Sequence, residues 1–231
     1  MVFQNSTINA LVEGIYKGDI SFGELKEYGD FGLGTFQDLD GEMIGFDGEF
    51  YQVKSNGSIV KVSDEQLTPF SVVTKFNNKE SSKISAVKNF HHLELELDKV
   101  LPSKNYIYAF RIDGFFKNIK ARSVPKQETS IRLTEVAKDI KPFIKPSETR
   151  GTLVGFYFPS YMKDINVTGY HFHFLSDDKL FGGHVLDIEV LKAELIINPI
   201  YGFQMILPKD NSFKNVDLTK TTQKELDTIE R

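Results

Sequence analysis

Apolar positions near the start of the chain recur as Ile8, Leu11, Val12, Ile15 and Tyr16, the spacing of one helical face. Ser6 or Thr7 supplies a cap and Gly18 a stop, and core packing accounts for the apolar stripe. Ser21 and Glu24 have the capping-box spacing of a second short helix ending near Gly29. From Phe31 to Phe76 the period shortens to that of strands. The runs Met43–Phe46, Phe50–Lys54 and Ile59–Val62 are punctuated by the hairpin turns Asp47-Gly48 and Asn56-Gly57, and Phe70–Phe76 forms another strand.

Phe90 to Leu101 fits both a helix and an alternating strand. Its length and the stop at Pro102 favour the helix. Within it the adjacent His91 and His92 point in different directions and receive no role. Tyr106–Ile112 and Phe115–Val124 read as two strands around a turn at Asp113-Gly114, and Thr134–Ile140 as a short helix. The proline-bearing stretch Lys141 to Glu148 is the candidate internal boundary. Strands follow at Thr152–Phe158, Gly169–Leu175, Leu180–Val190, Ala193–Ile197 and Gly202–Leu207, then a terminal helix at Thr222–Ile229. The pattern predicts an α+β fold of mixed and antiparallel sheets with few helices. Two packed subdomains are expected. Residues 1–145 carry several hairpins, and residues 146–231 form a β-rich unit with a terminal helix.

Composition changes this picture little. The chain has 231 residues, 26% of them charged and 40% hydrophobic, with a formal net charge of −4. That balance gives no general attraction to nucleic acid or to anionic membrane. No run approaches the roughly 20 apolar residues of a membrane span. The opening segment Met1–Ser6 lacks the basic and apolar regions of a signal peptide, so a cytoplasmic location is the expectation.

The chemistry concentrates in the histidines. Three of the five, His171, His173 and His184, fall within 14 residues. His171 and His173 alternate on a strand and so share a face. With Asp178 and Lys179 at the tip of a hairpin, His173 stands opposite His184. Three imidazoles on one face make an open metal site, which can do chemistry rather than only hold a fold together. The chain has no cysteine, so a thiolate site is excluded, and three neutral imidazoles suit zinc best. Arg122 closes a strand just before Pro125 and could clamp a carboxylate in bidentate fashion. Glu42, after Asp40-Gly41, is a candidate acid or base.

These pieces together resemble the alpha-acetolactate decarboxylase family. The matching segments are Gly32–Phe36, Leu39–Met43 with Asp47–Gln52, Tyr108–Gly114, Arg122–Gln127 and the histidine hairpin, in order along nearly the whole chain. The resemblance implies a zinc ion held by His171, His173 and His184, with Arg122, Glu42 and Glu230 catalytic and Thr35 in the substrate pocket. It implies decarboxylation of 2-acetolactate to the R form of acetoin by a homodimer. The zinc would serve as Lewis acid while the ketone takes up the electrons left by carbon dioxide. Two alternatives fit parts of the pattern. One is a non-enzymatic module like the AT-hook-associated conserved domains, which the absent basic arm disfavours. The other is a zinc hydrolase or lyase on another small keto acid.

Overall fold

The computed structural model describes the backbone of residues 1–221 and 223–230, and their side chains except at 223, 227, 228 and 230. The first part of the chain forms β1 (Val2–Asn5), α1 (Ile8–Val12), β2 (Ile20–Ser21), α2 (Phe22–Tyr28), β3 (Phe31–Thr35), β4 (Glu42–Phe46), β5 (Glu49–Val53), β6 (Ile59–Lys61), β7 (Leu67–Thr68), β8 (Ser71–Thr74) and β9 (Ser81–Val87). The rest forms α3 (Phe90–Val100), β10 (Ile107–Arg122), α4 (Leu133–Val136), β11 (Phe143–Lys145), β12 (Thr149–Phe158), β13 (Gly169–Ser176), β14 (Gly182–Ile200), β15 (Phe203–Ile206), α5 (Asn211–Asn215) and α6 (Gln223–Glu230). The α+β expectation holds.

Two sheets carry the architecture. The first has the order β15-β1-β8-β3-β4-β5-β6, and the second β11-β10-β12-β13-β14-β9. Pairing is antiparallel throughout except between β1 and β15. The sheets do not divide at residue 145, where the sequence placed a boundary. β15 joins β1 in the first sheet, and β9 and β10 belong to the second.

Alternation along the strands explains how the sheets stack. On β13, Tyr170, Phe172 and Phe174 enter an apolar cluster with Phe110, Phe116 and Leu93 and Leu97 of α3. The intervening His171, His173 and Leu175 therefore point the other way. Leu175 lies in the cluster between the sheets with Leu33, Ile44, Val53 and Val154. A third cluster packs Phe22 and Leu25 of α2 on the far face of the first sheet, against Phe3, Met43 and Phe50.

Several local expectations hold. Thr7 caps α1 by accepting from Ala10, and Ser21 and Glu24 form the reciprocal capping box of α2. Asp47 and Gly48 both have positive φ between β4 and β5, as a tight hairpin turn demands. Two expectations are corrected. Asp113-Gly114 is no turn, because β10 runs unbroken for 16 residues. Gly114 instead lies where a Cβ would come within 2.5 Å of the Ala193 Cα, so the glycine permits close approach of β10 and β14. The strands expected at Leu180–Val190 and Ala193–Ile197 are likewise one, β14, of 19 residues. It starts as the hairpin partner of β13 and continues beside β10, closing the ring β10–β12–β13–β14.

Helix α6 docks on the cluster between the sheets through Leu226 and Ile229. Arg132 reinforces the dock, donating to Glu13 at 2.7 Å and to Glu225 at 2.8 Å. Among the described residues no helix is long and apolar enough to cross a membrane.

Candidate metal centre

Two sheets supply the site. The second contributes His171 and His173 from β13, His184 from the start of β14 and Arg122 from the end of β10. The first contributes Thr35 from the end of β3 and Glu42 from the start of β4, which are register partners. The hairpin register is the expected one: His173 faces His184, Phe174 faces Gly183 and Leu175 faces Gly182. The tip is a four-residue loop closed by the Ser176 N–H donating to the Phe181 carbonyl at 2.9 Å.

All three imidazoles are buried, and their ligand nitrogens lie within 4.8 Å of one another. His171 Nε2 is 3.2 Å from His173 Nε2 and 2.9 Å from His184 Nδ1. Nitrogens bound to one zinc ion at about 2.0–2.1 Å in tetrahedral array stand about 3.3 Å apart, so the spacing fits a shared ion. The protonation pattern fits as well. His173 Nδ1 is 2.8 Å from the Met43 carbonyl oxygen, which can only accept. Nδ1 therefore carries the hydrogen, and Nε2 turns a lone pair toward the other rings.

Electrostatics keep those lone pairs available. Burial, with the Arg122 cation adding to it, pushes His171 down to about 3. Burial also drives His173 well below the ordinary range, reinforced by His171 and Arg122 and opposed by the Met43 carbonyl. Neutral imidazole is the form a metal ion requires. The donor set, all imidazole nitrogen with no thiolate, suits zinc and related divalent ions.

Around the triad stand a carboxylate, a hydroxyl and a guanidinium. Glu42 Oε2 lies 3.7 Å from His173 Nε2. Thr35 Oγ1 donates to the Gly41 carbonyl at 2.7 Å. Arg122 is buried on the same side. The next residue ties this strand end to the first sheet, with Ser123 Oγ donating to the Val53 carbonyl at 2.6 Å. A cavity joins Thr35, Glu42, Arg122 and the three histidines, and Ile8, Leu11, Leu39, Phe70, Val124 and Leu133 complete its wall. The structure thus brings together six of the seven expected site residues. The seventh, Glu230, has a side chain outside those described.

The apolar wall escaped sequence reading. Ile8 and Leu11 look like ordinary core positions, and nothing in their spacing separates a cavity wall from a filled core. His91 and His92 lie on α3, close to Glu94 and Glu96 and away from the triad.

The alpha-acetolactate decarboxylase family matches residues 2–220. The chain is 41% identical over 231 residues to the alpha-acetolactate decarboxylase of Methanosarcina mazei, covering all of this chain and 80% of that one. The chain belongs to the alpha-acetolactate decarboxylase family. A Brevibacillus brevis member is 42% identical over 227 residues, 98% of this chain and 79% of that one. The fold agrees. The crystal structure of alpha-acetolactate decarboxylase from Bacillus subtilis strain 168 superposes with a TM-score of 0.95 at 38% identity, covering 99% of this chain and 98% of that chain. The buried triad could hold a metal ion. The matched stretch contains Thr35, Glu42, Arg122 and all three histidines, and ends before Glu230.

Proposed function

We propose that the protein decarboxylates 2-acetolactate to acetoin, with zinc held by His171, His173 and His184. The observation that carries this reading is the convergence of three buried imidazoles beside Arg122 and Glu42 in one cavity. Family membership supports the substrate. The bound ion would supply Lewis-acid stabilisation of the negative charge that develops on the substrate's ketone oxygen.

The chain's own residues do the rest. Arg122 pairs with the substrate carboxylate and holds it in the cavity, where burial strengthens the ion pair. As carbon dioxide leaves, the bonding pair stays on carbon and is taken up by the adjacent ketone as an enediolate. Glu42 then gives one proton to that carbon, completing acetoin. Delivery from one fixed carboxyl makes one enantiomer, and the family resemblance assigns the R form. Glu230 is the second proton carrier in this scheme. The apolar wall excludes water and receives the methyl groups.

A homodimer and a cytoplasmic location complete the proposal, the first on the family resemblance and the second on the lack of any run apolar enough to span a membrane. No specific observation favours the DNA-binding or hydrolase alternatives. The test pairs a metal assay with carbon dioxide and acetoin measurements on wild type and His173→Ala. Wild type releases both products and carries one metal ion per chain, whereas His173→Ala loses metal and turnover together. An active, metal-free His173→Ala protein contradicts the proposal.

A further inference from the structure

Two consecutive residues beside the cavity, Asp38 and Leu39, have left-handed backbones with φ of 60° and 58°. Aspartate visits this region readily, but a bulky leucine rarely does. Leu39 is also buried and lines the cavity. Its strain is therefore not relieved by an excursion into solvent. The surroundings hold the conformation from three directions. The Asp38 N–H donates to the Tyr16 carbonyl at 2.8 Å, and the Asp38 carbonyl accepts from the Gln127 N–H at 2.7 Å. The Gly41 N–H donates to the Leu39 carbonyl at 2.9 Å, and the Gly41 carbonyl accepts from Thr35 Oγ1. Gly41 too has a positive φ, 98°, and a Cβ there would meet the Val53 carbonyl oxygen at 2.4 Å. An ion pair between Lys126 and Asp38 at 3.4 Å adds a fourth tie.

Strain kept in place by so many partners marks a position where the side chain matters. The loop joins the strand ending in Thr35 to the strand beginning with Glu42. Leu39 is thus placed by the same short segment that places the pocket hydroxyl and the proton donor. Other parts of the apolar wall, such as Leu11 and Leu133, come from unstrained helices. They are explained by packing alone. Leu39 is not, because glycine or asparagine would take the same backbone at less cost.

We infer that Leu39 is a specificity-determining residue, a rigid wall that limits the alkyl group carried by the substrate's hydroxyl-bearing carbon. The inference rests on the decarboxylase reading and refines it. With Leu39 in place the cavity accepts a methyl group there and penalises an ethyl group. One methylene against a rigid apolar wall is worth roughly tenfold or more in kcat/KM. Because the loop is pinned, the wall cannot yield by a backbone shift.

The test measures kcat/KM for acetolactate and for its homologue with ethyl in place of that methyl, in wild type, Leu39→Ala, Leu39→Gly and Leu39→Met. Leu39→Ala and Leu39→Gly raise the ethyl-to-methyl ratio by about tenfold, while Leu39→Met, similar in volume, stays near wild type. Leu39→Gly melts higher than Leu39→Ala, since both lose the wall but only glycine escapes the left-handed penalty. Should Leu39→Ala prove too unstable to assay, Leu39→Gly carries the measurement. An active wild type with a ratio within twofold of it in the truncated variants overturns this inference alone. A metal-loaded wild type that releases no carbon dioxide from acetolactate overturns the decarboxylase reading and this inference with it.

Discussion

Arg122 stands directly opposite His184 in the antiparallel pairing of β10 with β14. Residues so paired leave the sheet on the same face, so the guanidinium is delivered to the side occupied by the triad. His184 pairs at the same time with His173 of β13, so the start of β14 lies between β13 and the end of β10. The cation adds to burial in keeping His171 and His173 unprotonated. In the proposed mechanism it also pairs with the substrate carboxylate, so that one pair of facing residues serves both metal retention and substrate binding.

Gly183 sits beside that pair with φ of 134°, where a Cβ would meet the Arg122 carbonyl oxygen at 2.4 Å. Backbone atoms cannot swing aside as a flexible side chain can. Gly183→Ala should force β10 and β14 apart at the site and destabilise the fold by about 2–4 kcal/mol. Urea unfolding checks the stability, and metal content should fall alongside it.

Arg122→Lys keeps the charge but loses the planar fork. Hydrogen bonds to a charged group are worth about 1.5–3 kcal/mol, so kcat/KM for acetolactate should fall roughly 10- to 150-fold. Metal stoichiometry should stay at that of wild type. Steady-state kinetics and metal analysis of one preparation separate the two effects.

Glu42→Gln preserves shape and removes the exchangeable proton. The expected loss in kcat is about 10²–10⁴-fold, the range of a positioned general acid. Metal should be retained, because Glu42 is not among the three nitrogen donors. Single-turnover measurements show whether carbon dioxide still leaves while acetoin formation stalls.

The legibility of this protein in its sequence was uneven, for physical reasons. The histidine register could be counted because a short loop fixes pairing and the period of two fixes the face. The capping box of α2 and the stop of α3 were readable because both are local. What failed was long-range. Gly114 looks like half of an Asp-Gly turn, yet its purpose is the contact with Ala193, about eighty residues away in sequence. Ser81–Val87, rich in serine and mostly exposed, forms an edge strand on β14 that no apolar alternation announces. Whether Ile8 faces a filled core or a cavity depends on Leu133 and Arg122, which local spacing cannot reveal.

Acid should weaken the metal-free protein. His171 titrates near 3 when folded and near 6.5 when unfolded. Below about 6.5 the unfolded chain therefore binds a proton that the folded chain refuses. This contribution to stability is complete above about 6.5 and declines as pH falls toward 3, and His173 adds to it in the same direction. Thermal melts of the stripped protein from pH 7 to pH 4 should show a steady loss, smaller in His171→Asn. Bound metal should oppose the loss, since protons and the ion compete for the same nitrogens.

The most direct measurement is carbon dioxide release from acetolactate by chelator-stripped protein as zinc is added back. The account predicts no turnover at the start and a rise that saturates at one zinc ion per chain. Full turnover by the stripped protein, or saturation with no zinc retained at the triad, would contradict it.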